Sequence, residues 1–113
     1  MLSLALSKWL SLSFLLIAGH AVADYVLQTD RMERYKHPQQ PRRAYLGPWW
    51  WWLLAHSLVN GIMVSLLTQN WWLGLLETKL HFWVDYAKMR HWVSTNEDQS
   101  IHVLSKLVWA SLA

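Results

Sequence analysis

The stretch WWWWLLAHSLVNGIMVSLL, Trp49 to Leu67, is apolar from end to end except for His56 and Asn60, which stand four positions apart among small Ser and Gly residues. An α-helix rises ~1.5 Å per residue, so this run matches a hydrocarbon core of roughly 30 Å, and residues at i and i+4 lie one above the other on a single face. It reads as a membrane-crossing helix with one polar edge.

The same device recurs outward along the chain. His20 and Asp24 close the first apolar run, His81 and Asp85 sit in the third, and Asp98 and His102 lead into the last. Each pair turns a hydrogen-bonding, metal-competent edge in one direction while the rest of the segment stays apolar. Ionisable groups inside such runs cost roughly 2.5 to 3.5 kcal/mol each on insertion scales, which makes an intramembrane function the default expectation.

Composition agrees. The chain has 113 residues, 54% hydrophobic and only 15% charged, with ten Trp, which excludes an ordinary soluble domain of this size. There is no Cys, so a disulfide framework or thiolate metal site is excluded and any metal must be held by His and carboxylate. The net charge of +3 gathers beside the apolar runs rather than on a soluble face, which argues for membrane orientation and against nucleic acid as a partner.

The expected architecture is all-α: a polytopic membrane protein, a four-helix transmembrane bundle forming one membrane domain over 1–113, with helices at about 4–27, 49–68, 71–89 and 98–113. The fourth is short, and either spans or lies along the interface. Gln28, Thr29 and Asp30 open the first loop, and Arg31, Arg34, Lys36, Arg42 and Arg43 with Pro38, Pro41 and Pro48 make it basic and non-helical towards its end. Asn70 marks a tight turn, and Lys88 and Arg90 lie beside the last loop. Basic residues on the first and last loops, with none at the turn, put both loops in the cytoplasm and both termini outside. Trp49 to Trp52 and Trp92 then form the cytoplasmic aromatic belt, and Trp9, Trp71, Trp72 and Trp109 the opposite one. A competing reading of the N-terminus is a signal peptide, with Lys8 before the apolar run and Ala21-Val22-Ala23 as its cleavage site. Cleavage after Ala23 would remove His20 from its pair, which favours a retained helix.

This topology brings the pairs to one depth. Packed antiparallel, the third and fourth segments share a register that sets Asp85 against Asp98, His81 against His102 and Glu77 against Lys106. Small residues beside the pairs, Gly19 with Ala23 and Ser57 with Gly61, allow close helix approach. Two facing carboxylates in a low dielectric require either a proton or a bound cation between them. Neutral imidazole with carboxylate suits Zn, Mn or Fe, so His20, Asp24, His56, His81, Asp85, Asp98 and His102 are the candidate metal ligands. The bland alternative makes these same groups interhelical hydrogen-bond contacts that touch no ligand. Glu77 with Lys106 reads as a structural pair, Lys79 as a snorkelling side chain or second polar contact, and His37 and His91 as solvated loop residues. There is no Gly-rich phosphate loop, nucleophile elbow or HExxH, and no catalytic residue is assigned.

Four motifs in order carry a family resemblance: HAVADYVLQTD from His20, LAHSLVNG from Leu54, HFWVDYAK from His81 and DQSIH from Asp98. Together they resemble the family catalogued as domain of unknown function 3307, over nearly the whole chain from residue 15. The resemblance implies a small multi-pass membrane protein of bacteria or tailed phages, placed in the bacterial inner membrane, or in the host membrane if phage-encoded. It carries no established activity. The leading functional expectation is a divalent-metal site near the cytoplasmic face, hydrolytic in character. Its rivals are a non-enzymatic accessory membrane protein whose polar pairs only assemble the bundle, and an ion or proton pathway. The lipid bilayer is the expected partner, with a second copy or another membrane protein left open.

Overall fold

A computed structural model describes residues 2–41 and 43–113. Arg42, one of the basic residues of the first loop, lies outside the described residues. The chain is all-helical: α1 (Leu2–Ala21), continued by a π-helical turn (Val22–Val26), α2 (Asp30–Tyr35), a 3₁₀ turn (Ala44–Leu46), α3 (Trp49–Thr68), α4 (Trp71–Met89) and α5 (Thr95–Leu112).

The four long helices close into an up-down ring in which α1 packs on α3 and α5, and α4 on α3 and α5. The α3–α4 hairpin turns at Gln69, whose φ of 55° is left-handed, and Asn70 caps α4 by accepting a hydrogen bond from the Trp72 amide at 3.1 Å. Its two helices touch at Gly61 and Gly74, where a Cβ on either residue would lie 2.7 Å from the other's carbonyl oxygen. Only glycine permits that approach, so Gly61 behaves as its spacing beside the polar pair predicts. Gly19 sits instead against the flexible Met63 and Leu67 side chains.

Two elements depart from the sequence expectation. The first loop begins with α2, a helix capped by Thr29, whose hydroxyl accepts from the Met32 amide at 3.1 Å. The last helix begins at Thr95 rather than 98, because Ser94 and Glu97 form a reciprocal capping box with both bonds at 3.1 Å. The α2 loop folds back on α3: Tyr35 packs on Trp52, whose indole nitrogen donates to the Leu46 carbonyl at 2.8 Å.

The interior is mostly polar, and the outer faces of the long helices are largely apolar. Among the described residues, thirteen buried side chains are polar or charged and eight are apolar, while Leu4, Phe14, Leu66, Trp83, Leu104 and Leu112 are exposed. The apolar part of the core, built on Leu16, Val64, Leu73, Trp109 and Ala110, fills the half of the bundle near the Asn70 turn and the chain termini. Ionisable groups fill the half near the two loops. Two helical stretches, Ser3–Val26 and Trp49–Thr68, are long and apolar enough to cross a membrane. The helices α4 and α5 carry the buried Glu77, His81, Asp85, Asp98, His102 and Lys106, which lowers their hydropathy although Trp72, Leu75, Leu76 and Val108 face outward.

Candidate metal centre

One histidine comes from each long helix: His20, His56, His81 and His102, all at most 4% exposed. Their rings form a chain. His56 meets His81 edge-on with centroids 4.8 Å apart, His81 stacks on His102 at 4.1 Å, and His102 lies 5.1 Å from His20. The π-helical turn places Asp24 among them, the kind of local widening that recurs at functional sites.

Asp24 is the pivot. Its Oδ1 lies 3.3 Å from His56 Nε2 and 3.5 Å from His81 Nε2, and its Oδ2 lies 3.4 Å from His20 Nε2. The two ring nitrogens of His56 and His81 are 3.0 Å apart, so they share one hydrogen and at least one presents a lone pair. Asn60 closes the group by donating from Nδ2 to Asp24 Oδ1 at 3.3 Å and to the His56 carbonyl at 3.2 Å. Three donor atoms bound tetrahedrally to a metal at ~2.0–2.1 Å would be about 3.3 Å apart. The observed edges of 3.0, 3.3 and 3.5 Å fit that triangle without moving a helix.

The other carboxylates have ammonium partners. Asp85 Oδ2 accepts from Lys36 Nζ at 2.8 Å, and its Oδ1 lies 3.4 Å from Lys88 Nζ. Lys88 also reaches Asp98 at 3.9 Å, and Asp98 pairs with His102 Nε2 at 3.3 Å and accepts from Gln99 at 3.0 Å. Glu77 accepts from Lys106 Nζ and from the Trp109 indole at 2.6 Å. The predicted register therefore holds, since Glu77 meets Lys106 and His81 meets His102, but the charge between Asp85 and Asp98 is an ammonium. Four carboxylates, Asp24, Glu77, Asp85 and Asp98, face three lysines, Lys36, Lys88 and Lys106, and Asp24 is the one with no lysine or arginine partner among the described residues.

Across residues 12–111 the chain matches the family model described as protein of unknown function (DUF3307). The chain belongs to the DUF3307 family. No curated protein and no solved structure matches it.

In this DUF3307 chain all seven residues singled out from the sequence lie in one cluster, but in two tiers. Asp24, His56, His81 and His20 form the tight group, while Asp85, Asp98 and His102 surround it with partners of their own. The sequence reading missed Lys36, treated as a loop charge but only 2% exposed, with Nζ also donating to Gln28 at 2.7 Å. It also missed the approach of Glu77 to His81, whose i, i+4 spacing is the very signal used for the other pairs. His91 is exposed in its loop as expected, whereas His37 is half-buried. A cleft of about 190 Å³, bordered by Asp24, Gln28, Lys36, His56, Asp85 and Lys88, opens the group toward the loops.

Proposed function

We propose that this protein is a multi-pass membrane protein whose polar interior holds one divalent cation, Zn, Mn or Fe, on Asp24, His56 and His81. The single observation that carries this reading is Asp24: a nearly buried carboxylate facing three imidazoles, with every neighbouring carboxylate already matched to a lysine and this one not. A largely buried carboxylate held by imidazoles and one amide, with no permanent cation, is costly, and a cation at the centre of the donor triangle removes that cost. Three protein donors with one side open to the cleft is the pattern of catalytic rather than structural sites. The open cleft suits a hydrolytic role, with the Asp85 carboxylate, 3.6 Å from His56 Nε2 and held by Lys36 and Lys88, placed to accept a hydrogen bond from water there.

The membrane part of the reading rests on the inverted distribution of polarity. Lipid replaces water as the outer solvent, so apolar side chains face out and paired polar groups face in. All four long helices cross in this reading, with the two basic loops in the cytoplasm of a bacterium, or of the host if the chain is phage-encoded. Lys79, exposed halfway along α4, and Lys8, exposed near the start of α1, are charges that this arrangement turns toward lipid, with their ammonium groups snorkelling to the interface. A through-going ion or proton path is disfavoured by the apolar plug of Leu16, Val64, Leu73 and Trp109 beyond the polar groups. An accessory protein whose cluster only assembles the bundle would contain no metal. Elemental analysis of detergent-purified protein separates these readings: about one equivalent of metal in the wild type, lost in His56→Ala and His81→Ala, is the expected result, and metal-free wild type that stays metal-free after reconstitution with Zn, Mn and Fe rejects the site.

A further inference from the structure

Among the four clustered histidines, His81 is the one with a carboxylate behind it. Its Nε2 faces Asp24 and His56, and its Nδ1, on the far side of the ring, lies 3.5 Å from Glu77 Oε1. Glu77 is fully buried, and its orientation is fixed from two directions: Lys106 on Oε1 and the Trp109 indole at 2.6 Å on Oε2. Lys106 is itself held, donating to the His102 carbonyl at 3.3 Å. The carboxylate therefore cannot swing away from the ring. We propose that Glu77 is a positioning residue of the metal centre: it takes the Nδ1 hydrogen of His81 and so leaves the Nε2 lone pair aimed at the cation between Asp24 and His56.

The chemistry favours such a group. A neutral imidazole carries one hydrogen on either nitrogen, and only the tautomer with hydrogen on Nδ1 can ligate through Nε2. Metal-binding histidines accordingly donate their second nitrogen to a carboxylate or carbonyl, which fixes ring and tautomer and raises ligand basicity. The Nδ1 atoms of all four histidines lack a hydrogen bond among the described residues, and that of His81 is the one with a carboxylate within 4 Å, Glu77 Oε1 at 3.5 Å, close enough to become its acceptor when the ring binds metal. His81 also lies within metal-ligand reach of His20 with Asp24 and of His56 with Asp85. Fixing this ring fixes the geometry shared by both groups. The pairing of Glu77 with Lys106 then has a purpose beyond joining α4 to α5: it holds the carboxylate in place beside the ring, and a charge-assisted acceptor is the stronger one.

This inference rests on the proposed metal site, so its test separates the two. Removing Glu77 alone would strand Lys106 in the interior, whereas replacing a buried ion pair by apolar residues of similar volume is often tolerated. Full-length Glu77→Met/Lys106→Met and Glu77→Gln/Lys106→Met proteins are compared with wild type by titration with Zn in detergent and by the visible spectrum of the Co-loaded forms. The first variant removes the acceptor and the second restores a neutral one. The expected result is a Kd raised roughly 10- to 100-fold in the Met/Met protein with an altered Co spectrum, and partial recovery in the Gln/Met protein. Equal Kd and identical spectra in all three overturn the positioning role while leaving the metal site standing. Failure of wild type to bind either ion rejects both. If the Met/Met protein does not fold, the Gln/Met protein alone decides, because a neutral acceptor predicts a Kd between two- and tenfold above wild type and a purely structural pair predicts none.

Discussion

Replacing Asp24 by Asn should change the sign of its effect on stability according to whether metal is present. The amide keeps the shape and one acceptor oxygen, so the bond from Asn60 survives, while the negative charge disappears. In chelator the wild-type carboxylate is largely buried beside imidazoles without an ammonium partner, and neutralising such a group is expected to stabilise the fold by up to roughly 1 kcal/mol. With metal at about a hundredfold its Kd, binding to the folded state alone adds about 2.7 kcal/mol to the wild type. The amide is a far poorer ligand and forgoes most of that gain. Denaturant titration of both proteins in the same detergent, with EDTA and with added Zn or Mn, should therefore give curves that exchange order, the variant ahead in chelator and the wild type ahead by more than 1 kcal/mol in metal. A variant that is weaker in chelator, or that gains as much from metal as the wild type, would show that the reasoning about the unmatched carboxylate is wrong.

Gly61→Ala should cost about 1–3 kcal/mol by forcing the α3–α4 crossing apart, whereas Gly19→Ala, opposed only by the movable ends of Met63 and Leu67, should cost less; detergent-denaturant titrations of the two compare them directly. Lys36→Met should destabilise by about 3 kcal/mol or more because Asp85 loses its closest cation, and Lys36→Met/Asp85→Asn should recover most of the loss in the same titration. Reporter fusions after Arg43 and after Thr95 should both read cytoplasmic, and one reading on each side would break the four-crossing topology.

What the sequence made legible was periodic. The i, i+4 pairs, the turn at Asn70 and the antiparallel register joining Glu77 to Lys106 are all consequences of helix geometry, and they bring the paired residues into one cluster. What it hid depends on how irregular segments fold back. Lys36 follows a helix of six residues whose cap at Thr29 is a weak local signal, and its burial comes from contacts with Asp85 across 49 positions of sequence. Without it, Asp85 and Asp98 look like the carboxylates in need of a cation. With it, the carboxylate left without a lysine is Asp24, which sits in a π-helical turn that no apolar periodicity announces and whose partners come from α1, α3 and α4. The capping box of Ser94 and Glu97 was legible in principle, since S-x-x-E at a helix start is a recognised pattern.

The apolar half of the core has an electrical consequence. A charge carried right across a membrane works against about 2.3 kcal/mol per 100 mV, and that coupling is how pumps and channels feel voltage. Here Leu16, Val64, Leu73 and Trp109 seal one end of the bundle, while the cleft beside Lys36 and Lys88 opens the other. In the proposed orientation a cation reaching Asp24 enters and leaves by the same mouth and completes no crossing. Occupancy of the centre is then set by the metal level of the compartment on the loop side, with only a partial contribution from the membrane potential, so the protein would report on or use that pool without moving it.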